Sequence, residues 1–145
     1  MDYYNATGIF DNSSYGNFGE FGGDLSTSNS STGSRGKGFD FDETDDTYLY
    51  LGDDFNFQEF AFSIWVKPTS NVDSLTSIIS KFDVYELDLA YTEDPNKPLC
   101  ILGDGDSWNA GDLAYSSTNY TLDQWNHIVC IFNGTHLTTY LNVIS

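Results

Sequence analysis

The sequence predicts an all-β protein, with antiparallel strands packed as a two-sheet sandwich. Three observations carry this. Apolar residues alternate with a period of two across Phe60–Pro68 and again from Trp125 to Asn142. No long window shows the 3.6-residue periodicity of an amphipathic helix. Turn-forming Gly, Asn, Asp and Ser residues punctuate the chain at short intervals.

The segment Trp125–Asn142 reads as two strands joined by Asn133-Gly134, a pair that suits the positive φ angles of a two-residue type I′ turn. Trp125, His127, Val129 and Ile131 share one face of the first strand, and Asn126, Ile128, Cys130 and Phe132 the other. From Ile128 onward both faces are apolar, which predicts a central strand covered on both sides. In Phe60–Val66, Phe60, Phe62, Ile64 and Val66 alternate with Ala61, Ser63 and Trp65, and Pro68 stops the strand. Trp65 and Trp125 are expected in the core.

Asp11–Asn17 is a polar loop in which Asp11 can cap its own backbone as an Asx turn. Residues 22–38, rich in Gly, Ser and Thr, are expected to form a flexible loop. Gly38–Asp42 is a strand with Phe39 and Phe41 inward, and Asp45–Leu49 is read as its hairpin partner; Asp42, Glu43, Asp45 and Asp46 form a solvated tip. Ser77–Lys81 is a strand, followed by one in which Tyr85, Leu87, Leu89 and Tyr91 share a face opposite Glu86, Asp88 and Ala90. Asp94-Pro95-Asn96 turns the chain. Leu99–Leu102 and Leu113–Ser116 are short strands flanking an acidic loop, residues 103–112.

Two stretches, FSIWVKP and QWNHIVCIFNGTHLTTYLN, resemble signature strands of the laminin-G-like, concanavalin A-like lectin and glucanase families. Asp11–Asn17, Gly38–Asp42 and Ser77–Lys81 are similar to further segments of that pattern. The resemblance covers nearly the whole chain and implies a single domain, 1–145, folded as a jelly-roll sandwich. It also implies strands beyond Ser145, so the domain is expected to be C-terminally incomplete and part of a larger multidomain chain. It places Asp11 near a Ca²⁺ site.

Charge narrows the partners. The formal net charge is −17, with only five Lys or Arg residues. Such a surface repels nucleic acid and anionic lipid. No apolar run reaches bilayer-spanning length, and residues 1–20 lack the pattern of a signal peptide. Asn-x-Ser/Thr sequons at Asn5, Asn12, Asn29, Asn119 and Asn133 point to a secreted glycoprotein. Cys100 and Cys130 allow either one disulfide or two buried thiols.

Three groups of residues invite a functional reading. Glu86 and Asp88 fall on one strand face, as paired carboxylates must in the glycoside hydrolases that share this sandwich. The third acid of that motif is absent: residue 91 is Tyr, and Glu93 is too far along. The alternative is two solvent-facing acids. Asp104, Asp106 and Asp112 supply hard oxygen donors for Ca²⁺ in a short loop, although the spacing fails as an EF-hand. Trp108, with Asn109 and Asp106, has the composition of a sugar-binding surface, an indole to stack on a pyranose and polar groups for its hydroxyls; the alternative is an indole folded over its own loop. The expected function is therefore a non-catalytic extracellular module that recognises carbohydrate or a protein partner through rim loops, with Ca²⁺ as a possible aid. A glycoside hydrolase and a ligand-free structural domain are the alternatives.

Overall fold

The computed structural model describes residues 3–42, 45–53, 55–71, 76–90, 96–105 and 112–142. The chain packs as two compact units, Met1–Asn56 and Phe57–Ser145.

In the first unit β1 (Gly8–Phe10), β2 (Phe18–Gly22) and β5 (Tyr48–Tyr50) form an antiparallel sheet in the order β1-β2-β5. The stretch expected as a flexible loop instead holds a 3-10 turn at Thr27–Asn29 and a hairpin of β3 (Ser30–Thr32) with β4 (Lys37–Phe39). Its turn closes through the Gly33 N–H to the Gly36 carbonyl at 3.0 Å, with Gly36 at φ 61°. Aromatic contacts of Phe39 with Tyr4 and Phe21 anchor the hairpin. Because β4 pairs with β3, the expected hairpin between 38–42 and 45–49 does not form; β5 pairs with β2 instead. Phe41 lies beyond the end of β4 and is 54% exposed rather than inward.

The second unit is the sandwich. One sheet runs β10 (Asp112–Tyr115), β9 (Leu99–Leu102), β8 (Tyr85–Asp88), β7 (Ser77–Lys81). The other runs β12 (Leu137–Leu141), β11 (Asn126–Phe132), β6 (Phe60–Val66). All pairings are antiparallel. Residues predicted to alternate inward do so. Phe60, Ile128 and Cys130 of one sheet pack with Tyr85, Leu87 and Cys100 of the other, and Phe62, Ile64 and Val66 extend the cluster. Burial of apolar side chains is the main stabilising term, about 1.5–3 kcal/mol for each fully buried Leu, Ile or Phe.

Cys100 and Cys130 form a disulfide between the two sheets, with Cα atoms 6.0 Å apart. Of the two states the sequence allowed, the structure takes the bonded one.

The β11–β12 connection differs from the two-residue turn expected. Phe132 pairs with Leu137, so four residues, 133–136, make the turn, and of these only Gly134 has positive φ, 84°. The Asn133 side chain explains this. Its Oδ1 accepts the Thr135 and His136 N–H groups at 3.1 and 2.8 Å, so an Asx turn replaces type I′ geometry.

Candidate functional site

The outward faces of the two sheets differ in chemistry. On the β6-β11-β12 sheet, register places Trp65 beside His127, Ser63 beside Val129 and Ala61 beside Ile131. On the other flank Tyr140 pairs with Val129 and Thr138 with Ile131. None of these residues carries a formal charge, in a chain of net charge −17. His127, Val129, Ile131 and Tyr140 line an open depression of about 290 Å³. The Trp65 and His127 rings stack at 4.8 Å between centroids and 20° between planes, and His127 Nε2 lies 2.9 Å from Ser63 Oγ.

Trp65 is 43% exposed, which corrects the expectation that it sits in the core. Strand alternation gives the reason: the inward positions of β6 are filled by Phe60, Phe62, Ile64 and Val66, leaving Trp65 on the outer face with the small residues Ala61 and Ser63. Trp125 is half-buried. The outer side of β11 is therefore only partly covered, although the strand is central in its sheet as predicted.

Opposite Leu99 on the outer side of the β8-β9 pair sits Asp88. Glu86 shares this face by alternation, as predicted. Asp88 is not solvent-facing, however: it is 0% exposed, and among the described residues neither carboxylate oxygen has a hydrogen-bond partner. Burial pushes its pKa up to about 6. Ser77, its cross-strand partner on β7, offsets part of that shift while falling short of hydrogen-bond geometry, and the Glu86 charge adds to it. Glu86 is half-buried and accepts the Ser80 hydroxyl at 2.8 Å.

The residues expected to hold Ca²⁺ fall in both units. Asp11, in the first unit, makes the Asx turn: Oδ1 accepts the Ser13 N–H at 2.7 Å, and Oδ2 accepts the Ser13 hydroxyl at 2.6 Å and the Asn17 amide at 3.0 Å. The Ser13 hydroxyl and backbone N–H hold its carboxyl below the usual carboxylate range. Asp104 and Asp112 are exposed residues of the second unit. Asp106, Trp108 and Asn109 lie outside the described residues. Among the described residues no three His, Cys, Asp or Glu side chains gather as a metal ion would need.

A sandwich of antiparallel sheets with a disulfide across it and an aromatic, uncharged outer face defines a β-sandwich of the lectin-like class. A family model of laminin G type, described as the concanavalin A-like lectin/glucanases superfamily, matches residues 42–143. The chain belongs to that superfamily. No curated protein and no solved structure matches it. No helix among the described residues is long and apolar enough to cross a membrane.

Sequence reasoning missed the outer face as a candidate site because it took the size of Trp65 as a sign of burial. The signal was present: alternation had already grouped Trp65 with Ala61 and Ser63, residues too small to build a core layer.

Proposed function

We propose that this chain is a non-catalytic recognition module that binds carbohydrate outside the cell. Membership of a superfamily of lectins and glucanases supports a sugar ligand. The observation that carries the non-catalytic half is the burial of Asp88. Retaining hydrolysis needs two carboxylates about 5–5.5 Å apart and open to substrate and water. Here one member of the candidate pair Glu86 and Asp88 is sealed from solvent, and Tyr91 stands where the motif needs its third acid. The net charge of −17 favours neutral ligands over polyanions. Extracellular display rests on the habit of laminin G-like domains and on the disulfide, which persists in oxidising compartments. Ca²⁺ assistance through Asp104, Asp106 and Asp112 belongs to the same proposal.

A glycan array read with and without EDTA tests it, alongside an assay for reducing ends released from β-glucans. The expected result is retention of neutral glycans with no release of reducing ends. Turnover that disappears in Glu86→Gln would overturn the non-catalytic reading, and an array without any retained glycan would leave a ligand-free structural domain.

A further inference from the structure

We infer that the carbohydrate site lies on the outer face of the β6-β11-β12 sheet, with Trp65, His127 and Tyr140 as its stacking surface, and that it takes a neutral oligosaccharide. This rests on the recognition reading above but moves the site from the rim loop around Trp108 to a sheet face.

Three features of that face converge. Trp65 and Tyr140 are 43% and 42% exposed, on the two flanking strands of the sheet. Large aromatic rings left in water on a folded surface mark binding sites when they are grouped rather than scattered. Trp65 is also held in place: its stack on His127, itself fixed by the Ser63 contact, limits the indole's rotation before any ligand arrives. A preorganised ring loses less conformational freedom on binding.

Second, polar groups interleave the rings. Ser63 is the strand partner of Val129 and Thr138 that of Ile131, beside a depression that Tyr140 helps to line. A pyranose presents an apolar C–H face edged by hydroxyls, and this layout offers it an aromatic and aliphatic floor with donors and acceptors at the margin.

Third, the strand-paired positions of that face include no carboxylate although the chain has 22 Asp and Glu. The negative field of the chain turns away anionic glycans. The same field disfavours a second copy of the chain as the occupant, since two bodies of net charge −17 repel at low salt.

The test is calorimetric titration of the whole chain with neutral gluco-, manno- and galacto-hexasaccharides, and with a hexagalacturonate as the anionic control. It compares wild type with Trp65→Ala, Tyr140→Ala and Trp108→Ala, each checked for folding by thermal melt. At least one neutral hexasaccharide binds and the uronate does not. Trp65→Ala and Tyr140→Ala each weaken binding roughly tenfold or more, as truncation of an aromatic anchor does, and Trp108→Ala leaves it unchanged. If wild type binds but only Trp108→Ala weakens it, the sheet-face site is overturned while carbohydrate recognition stands. If wild type binds none of the sugars and sediments as a dimer that Trp65→Ala converts to monomer, the face is a self-association surface and both readings fall.

Discussion

Thr139 on β12 reaches across the sandwich to Cys100 on β9. Its Oγ1 accepts the Cys100 backbone N–H at 3.1 Å and donates to the Ala114 carbonyl on β10 at 2.6 Å. Cys100 and Ala114 are ladder partners, so the hydroxyl bridges a buried and a part-buried backbone group of one sheet from a strand that belongs to the other. The same hydroxyl lies 2.9 Å from Cys100 Sγ, beside the inter-sheet disulfide. One side chain thus fixes the distance between the layers at the point where the covalent link crosses.

Replacing Thr139 by Val keeps its shape and removes the bridge. Each buried backbone group left unpaired costs about 1–3 kcal/mol. Thr139→Val is expected to lose about 2–4 kcal/mol in urea unfolding, and Thr139→Ser much less. Equal losses in the two variants would assign the effect to packing instead.

The disulfide joins residues 30 apart in sequence. Constraint of an unfolded loop of that size is worth about 3–4 kcal/mol in the chain-entropy treatment. Reduction with a phosphine, or the pair Cys100→Ala and Cys130→Ala, is expected to lower the urea midpoint accordingly. An unchanged midpoint would mean that the thiols are not joined in solution.

Asp88 gives a pH dependence with a definite sign. Its pKa is raised from 3.8 to about 6 in the folded chain. Between those values the folded state binds more protons than the unfolded state, so stability falls as pH rises through that window and is flat on either side. The loss amounts to up to about 3 kcal/mol from this group. The stability difference between wild type and Asp88→Asn, followed from pH 3 to 8, isolates it from the other carboxylates. It changes only across the window if the account holds. A difference constant with pH would show that Asp88 titrates normally.

Asn126 is buried and uses all its hydrogen-bonding capacity. Oδ1 accepts from the Thr121 N–H and from Asn142 Nδ2, both at 3.1 Å, while Nδ2 donates to the Thr121 and Gln124 carbonyls, both at 2.8 Å. It therefore shapes the entry into β11 and ties it to the end of β12. Asn126→Ala strands several of these partners and is expected to destabilise by about 2–4 kcal/mol. Asn126→Asp is expected to be no better, since a carboxylate cannot donate to the two carbonyls. Rescue by Asp would remove the donor role.

How far the fold could be read in the sequence follows from what each strand is made of. β6, β7, β9 and β11 were legible because their apolar residues alternate or run unbroken, and the inward set Phe60, Ile64, Ile128 and Cys130 follows directly. The β3–β4 hairpin was not, because Ser30–Thr32 and Lys37–Phe39 have the composition of a loop and are held by turn bonds and by Phe39's contacts with Tyr4 and Phe21. Asn126 was hidden as a polar residue in an otherwise apolar inward row, where only three-dimensional partners reveal that it is satisfied. Trp65 shows the opposite error: its position was legible from alternation, and its bulk argued against the right answer. Asp88 was placed on the correct face, but its burial depends on contacts across strands that no local pattern encodes.

The most direct test of the account is a ¹H–¹⁵N NMR titration of the disulfide-bonded chain with the neutral hexasaccharide that gives the largest calorimetric signal. The account predicts shifts concentrated at the Trp65 indole N–H and at the amides of His127, Val129 and Tyr140, with residues 103–112 unmoved. Shifts confined to residues 103–112, with the Trp65 indole undisturbed, would contradict it.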